Sequence, residues 1–386
     1  MSRTDSSLNI LLLARYRHHE RYFATLARHS SLAMRVITLR GLPLLKPHSL
    51  RWLREAHSDA AIAYHTLSKS KKEPYHGALY WWLYRHINRF RAAVCYAQCK
   101  QLFATHRPDA LVVWNGGTWF FRAAIQAAEE AGIQVFYAEN GLLPNTVTLD
   151  PKGINFANSL PRTPDFYRQL DDCRNSFSNV LQPRQSARSL AARAVTLPAR
   201  YILVPLQVNT DSQILLNSPW LPDMYHLLDT LREMVPRLHD TDVTFVIREH
   251  PSCRSHYDGY HQVMGSRFLF ANGNPMQDLI EGAEAVLTIN STAGIESLLL
   301  GKKVIVAGNA FYAIPELVLP VTAANELEPA LNAVHDWQPD NRLRCQFLTY
   351  LSEVYCIPGN REHVDELHLH RIDQRIRNVV EHHLPL

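Results

Sequence analysis

Eight short apolar runs punctuate this 386-residue chain, and they fall into two groups. Leu8–Leu13, Met34–Leu39, Ala110–Trp114 and Gln134–Tyr137 lie in the first half; Tyr201–Leu206, Val243–Ile247, Ala285–Ile289 and Lys303–Ala307 lie in the second. Such runs are too short for helices, and continuous apolarity marks strands buried on both faces. Helix-length segments separate them, among them the Ala-rich Phe120–Ala131, which stops at Gly132. Strands alternating with helices predict parallel sheets covered on both sides. Residues 171–198 lose the apolar periodicity and gather Arg, Ser, Gln and Pro, a linker composition. The length also exceeds what one core holds comfortably. The expected fold is therefore α/β, with two Rossmann-like domains at 1–185 and 186–386. Ligands are expected at strand C-termini in the inter-domain cleft, with the C-terminal helical tail packing back on the first domain.

Composition excludes several classes. A chain 46% hydrophobic and 20% charged folds rather than staying disordered, and 40 Lys+Arg against 36 Asp+Glu is too balanced for a nucleic-acid binder. No run reaches the roughly 18 apolar residues of a membrane span, and the polar start is not a signal peptide. The six cysteines are scattered, which predicts reduced thiols in a cytoplasmic protein. His18-His19-Glu20 and Glu381-His382-His383 put adjacent residues on different helix faces, and no HExxH, GxxxxGK[ST] or GxGxxG pattern occurs. No cofactor and no metal are expected.

Four segments carry chemistry. In Ala285–Gly301 an apolar strand runs into the small polar turn Asn290-Ser291-Thr292, and a helix begins there. A helix start offers N–H groups and positive potential to a phosphate. Gly294 would let a ligand approach, and Glu296, one turn in, could take ribose hydroxyls; simple capping is the competing reading. In Phe245–Ser252, Pro251 ends a strand and leaves Arg248 and His250 at its tip, where a cation suits an anionic donor. In Leu203–Gln213 the strand ends near Gln207 and the turn delivers Asp211, as nucleophile or base, or as an Asx cap. In Phe136–Asp150, Glu139 stands directly after a strand. It either braces the Asn140-Gly141 turn or joins Asp211 as a second carboxylate with a separate role.

Together these segments are recognisable. E-N-G-L-L-P, G-I-N and N-S-L-P-R-T-P-D-F-Y (Glu139–Tyr167) precede L-Q-V-N-T-D-S-Q-I (Leu206–Ile214). R-E-H-P (Arg248–Pro251), N-S-T-A-G-I-E (Asn290–Glu296) and G-N-A-F-Y (Gly308–Tyr312) follow in order. The sequence resembles the capsular polysaccharide synthesis/export family, whose enzyme members are retaining β-Kdo glycosyltransferases. That resemblance implies a GT-B-like fold and CMP-β-Kdo as donor, an acidic sugar whose anomeric carbon also bears the carboxylate. It implies Asp211 as nucleophile and Glu139 as the partner that assists proton transfer or orients the acceptor. Arg248 and His250 would bind the donor's anionic groups, and Ser291, Thr292 and Glu296 would clamp CMP. Asn290, Gly294, Gln207 and Tyr312 would belong to the same pocket. Some family members have Lys before His-Pro, or E-G-Y in place of E-N-G, which puts the acceptor in question and leaves the donor intact.

The implied reaction is double displacement, as in retaining glycosidases, needing no obligatory metal. The acceptor would be a lipid-linked sugar or oligosaccharide of a capsule linker or an O-antigen, at the cytoplasmic face of the inner membrane. Tyr80–Lys100 interleaves aromatic rings with Arg and Lys, a pattern suited to a membrane surface or to a core helix with one solvated face. Competing functions are a GT-B-like sialyltransferase or sugar-nucleotide epimerase, and a non-catalytic export scaffold.

Overall fold

The computed structural model describes residues 8–57, 59–171, 173, 181, 193–253, 255 and 257–384. The chain divides into two units, Met1–Leu160 with Val354–Leu386, and Pro161–Glu353. The boundary expected at 185/186 lies outside the described residues.

In the first unit the apolar runs become β1 (Asn9–Ala14), β2 (Ala33–Thr38), β3 (Ala110–Trp114) and β4 (Gln134–Asn140), all parallel. Their continuous apolarity has the expected cause. Leu11 and Leu13 face one core with Tyr96, Phe120 and Phe121, while Ile10, Leu12 and Ala14 face another with Tyr22 and Phe23. Two antiparallel strands that local sequence did not reveal extend the sheet. These are β5 (Thr146–Asp150) and, from the distant end of the chain, the two-residue β12 (Ile357–Pro358). The sheet order is β12-β5-β4-β3-β1-β2. The terminal helix Glu366–His382 packs on this unit: Ile372 and Ile376 join Tyr22 and Phe23, and the Tyr22 hydroxyl meets His368 Nε2 at 2.8 Å.

The second unit repeats the logic with β6 (Tyr201–Pro205), β7 (Thr244–Arg248), β8 (Phe268–Phe270), β9 (Ala285–Thr288), β10 (Lys303–Val306) and β11 (Leu319–Pro320). All pairs are parallel, in the order β11-β10-β9-β6-β7-β8. From β6 the chain winds one way to β8, then returns to β9 beside β6 and winds the other way. That is the doubly wound Rossmann order, and its switch point lies between β6 and β9. Both sheets thus agree with the expected α/β architecture of two Rossmann-like units.

One expectation needs correction. Cys173 and Cys345 are joined in a disulfide, with Cα atoms 5.4 Å apart, whereas six free thiols were expected. Their 172-residue separation hides the pairing from any local reading of cysteine spacing. Cys95, Cys99, Cys253 and Cys356 are free and buried. The segment Tyr80–Lys100 is neither wholly core nor wholly surface. It lies in the helix Ala78–His106, where Ala92, Cys95, Tyr96 and Cys99 are buried while Leu79, Trp82, Ile87 and Phe90 are exposed. Among the described residues no helix is long and apolar enough to cross a membrane.

Candidate functional site

In the second unit the sequence-predicted residues converge on the C-terminal ends of β6, β7 and β9, at the switch point where open α/β sheets bind ligands. Gln207 and Asn290, each two residues beyond its strand, β6 and β9, are both buried. Gln207 Nε2 donates to Asn290 Oδ1 at 2.9 Å, and the Asn290 N–H donates to Gln207 Oε1 at 3.2 Å. Asn290 Nδ2 then donates to the carbonyls of Gln213 and Asn217, each at 2.9 Å. With both side chains spent inward, this pair pins the Asp211 turn to the Ser291 turn from behind. Both were expected as donor ligands, and their side-chain hydrogen bonds go to each other and to the backbone of the helix Ser212–Asn217.

Asp211 is exposed and caps the helix Ser212–Asn217, its Oδ1 accepting the Gln213 N–H at 2.9 Å and the Ser212 hydroxyl at 3.2 Å. The Asx-cap reading is therefore correct for Oδ1, and Oδ2 accepts no hydrogen bond from the described residues. The cap thus engages one oxygen of the carboxylate and leaves the other open among the described residues.

Arg248 closes β7 half-buried, its Nη1 3.5 Å from the Ala271 carbonyl. Burial pulls its guanidinium below the usual range against the opposing pull of Glu249, yet an arginine stays charged. A desolvated cation with one long carbonyl contact suits an anion. His250 Nδ1 accepts the Ser252 N–H at 3.1 Å, which in the neutral ring places the proton on Nε2. Glu249 between them turns inward to Asn272 Nδ2 and His261 Nε2.

At the β9 turn the donor groups expected to hold phosphate are largely used within the turn. Ser291 N–H donates to Thr288 Oγ1, Ala293 N–H to Ser291 Oγ, and Gly294 N–H to the Ser291 carbonyl. Capping accounts for Ser291; the Thr292 side chain, at the N-cap of the helix Ala293–Leu299, makes no cap bond. Gly294 serves a different neighbour from the one expected: a Cβ there would stand 2.4 Å from the Tyr312 hydroxyl and 2.6 Å from its ring. Tyr312 is fully buried and donates to the Ser291 carbonyl, bracing the turn from beneath. Burial, then the nearby Glu296 carboxylate, push its hydroxyl pKa upward and keep it a donor. Glu296 itself is half-buried in the helix's first turn.

Sequence reasoning missed Asn209. Buried, it donates to Ser255 Oγ at 3.0 Å and the Tyr257 hydroxyl at 3.3 Å, and accepts the Met224 N–H at 2.7 Å. Its only local signal was a polar residue in a strand-end turn, which does not distinguish a ligand from a brace.

In the first unit Glu139 lies inside β4, opposite Thr148, because the strand expected to end before it runs on to Asn140. Its Oε2 accepts Asn115 Nδ2 at 2.7 Å and its Oε1 accepts the Asn140 N–H at 2.8 Å. Asn115 opens the N-G-G-T turn between β3 and the helix Trp119–Glu130, with a left-handed φ of 66° followed by Gly116 at 78°. A Cβ on Gly116 would meet the Tyr137 ring at 2.8 Å, so this turn approaches β4 closely enough to hold Glu139. The strand–turn–helix pattern that flagged Asn290–Glu296 also marks Asn115–Thr118, where it went unread.

Comparison with known proteins points one way. Residues 109–196 and 174–361 match the family described as capsule polysaccharide biosynthesis protein. Protein FixF of Sinorhizobium fredii is 37% identical over 285 residues, covering 72% of this chain and 68% of that one. Capsule polysaccharide export protein KpsS of Escherichia coli is 28% identical over 304 residues, covering 63% and 76%. Among solved structures, the beta Kdo 2,7 transferase KpsC of Thermosulfurimonas dismutans aligns over 64% of this chain and 78% of its own. Its TM-score is 0.43 at 20% identity, a likeness too loose to bear on chemistry.

Proposed function

The chain belongs to the capsule polysaccharide biosynthesis family, and from that premise we propose that it is a retaining β-Kdo glycosyltransferase using CMP-β-Kdo. One observation carries the reading: at a single switch point the second unit gathers an exposed carboxylate, Asp211, a desolvated cation, Arg248, and the Ser291–Glu296 turn. A carboxylate with one oxygen locked by a cap and the other unengaged is an oriented nucleophile.

In this reading Asp211 Oδ2 attacks the anomeric carbon as the bond to the CMP phosphate breaks, and CMP departs with the electron pair. The nucleotide is a good leaving group, so no acid is required. Arg248 and His250 take anionic charge of the donor, and Thr292 and Glu296 meet the nucleotide. The acceptor hydroxyl then displaces Asp211 from the same carbon and gives up its proton to a base, the role that the family resemblance offers Glu139. Two inversions at one carbon retain the β configuration. No step calls for a metal ion. The acceptor is a lipid-linked sugar or oligosaccharide, reached at the cytoplasmic face of the inner membrane.

The test incubates the full chain with CMP-β-Kdo and synthetic lipid-linked Kdo or GlcNAc acceptors, and assigns the product linkage by NMR. A β-linked Kdo product supports the reading. Turnover of UDP-GlcNAc alone would point to an epimerase, and of CMP-sialic acid to a sialyltransferase. Intact protein that releases no CMP with any acceptor would leave a scaffold role.

A further inference from the structure

Outside the donor side, the strongest unexplained feature lies in the first unit, at the C-terminal ends of β1 and β3, the switch point of that sheet. Arg15 leaves β1 there. Among the described residues its buried Nη1 has no hydrogen-bond partner, and its guanidinium sits 5.6 Å from the Trp119 ring centroid and 5.5 Å from that of Tyr16. Thr118, at the N-cap of the twelve-residue helix Trp119–Glu130, makes no cap bond, and its Oγ1 is buried without a partner. His19 is 4% exposed, lies 5.3 Å from the Trp114 ring, and leaves Nδ1 without a partner. Arg361 covers Trp114, its guanidinium 5.0 Å from that ring.

These features lie together at one end of one sheet. Among the described residues three buried polar atoms are left without partners, two arginines stand close by, and a helix start adds positive potential. No ion pair engages Arg15 or Arg361 among the described residues. The nearby acid, Glu139, has already given its oxygens to Asn115 and the Asn140 N–H. A buried N–H of a cation without an acceptor is costly, and so is a cap position without a cap. Burial first, and then the charges of His18 and Arg361, hold His19 down to about 4, so its ring is neutral near pH 7.

We infer that the first unit holds a subsite for an anionic group, a phosphate or a carboxylate, gripped by Arg15, Thr118 and Arg361. This rests on the transferase reading, in which Glu139 serves the acceptor, and it adds the acceptor's class: a charged glycan. Strands β1 and β4 are two places apart in the sheet, so the anion lies about 10 Å from Glu139, leaving room for the ring that bears the attacking hydroxyl.

The experiment titrates the full chain with glucose 1-phosphate, glucuronate and neutral methyl glucoside by calorimetry. In parallel, CMP is titrated to report on the second unit. At least one charged probe should bind where methyl glucoside does not, and the better of the two names the source of the charge. Arg15→Gln should weaken that binding tenfold or more, Thr118→Val should weaken it less, and neither should change CMP affinity more than twofold. Equal binding of methyl glucoside, or binding unaltered in Arg15→Gln, would overturn the subsite; should that variant fail to fold, unaltered binding in Thr118→Val would do so. Failure of wild type to bind CMP would count against the transferase reading while leaving the anion titration to be judged by itself.

Discussion

Gln207 and Asn290 exchange two hydrogen bonds across the reversal point of the second sheet, at 2.9 and 3.2 Å, and thereby lock the ends of β6 and β9 together. Because Asn290 also serves the carbonyls of Gln213 and Asn217, one buried amide fixes the spacing between the capped carboxylate and the Ser291 turn.

Asn290→Ala strands the Gln207 amide and two carbonyls. An unsatisfied buried polar group costs about 1–3 kcal/mol, so this variant should lose about 2–4 kcal/mol in urea unfolding. Adding Gln207→Ala should cost less than its own single value, with a coupling on the order of 1–2 kcal/mol. Simple additivity would show that the two side chains act separately.

Asp211 offers a separation of roles. Asn caps helices as well as Asp, so Asp211→Asn should leave stability within about 0.5 kcal/mol, whereas Asp211→Ala should lose about 1 kcal/mol. Both should reduce transfer on the order of a thousandfold or more with CMP affinity unchanged. An Asn variant keeping a tenth of wild-type turnover would remove Asp211 as nucleophile.

Strands β1–β4, β6, β7, β9 and β10 were legible because burial on two faces writes an unbroken apolar run: Ala110–Trp114 matches β3 residue for residue. Strands β5 and β8 were not legible. The two-residue β11 and β12 were not, since two residues carry no period, and β12 finds its partner some two hundred positions away. The same limit governs the site. Asp211 and Arg248 were readable as polar residues at strand ends. Whether such a residue faces a ligand or a neighbour depends on long-range contacts, which is why Gln207, Asn290 and Tyr312 turned out to brace. Gly294 looked like a ligand approach and is an accommodation for Tyr312, eighteen residues on.

His19 predicts a pH dependence. Burial first, and then His18 and Arg361, lower its pKa from 6.5 to about 4. The unfolded chain therefore binds the proton more readily, and stability is full above pH 6.5 and falls as pH drops toward 4. At 1.36 kcal/mol per unit the loss approaches about 3 kcal/mol. Unfolding free energies of wild type and His19→Phe, measured across that window, should diverge in slope, with the variant flatter. Parallel curves would show that His19 titrates normally in the folded protein.

The helix Ala78–His106 supplies the last prediction. Leu79, Ile87 and Phe90 are 70, 50 and 67% exposed, and with Leu83 they recur at the spacing of one helix face, beside Trp82 at 55%. A soluble surface gains nothing from such a stripe. Arg85 and Arg91 on the same helix, and Lys71 and Lys72 on the neighbouring helix Asp59–Lys72, add positive charge. Apolar rings flanked by cations fit the interface of an anionic bilayer. The chain should therefore sediment with vesicles of phosphatidylcholine mixed with phosphatidylglycerol, far less with phosphatidylcholine alone, and less as salt rises. Burying a large apolar side chain is worth about 1.5–3 kcal/mol, so Trp82→Ala with Phe90→Ala should weaken vesicle binding more than tenfold. Neither side chain belongs to the buried core clusters, so stability should hold. Unchanged vesicle binding by the double variant would mean that charge alone draws the protein to the surface and that the exposed stripe serves another contact.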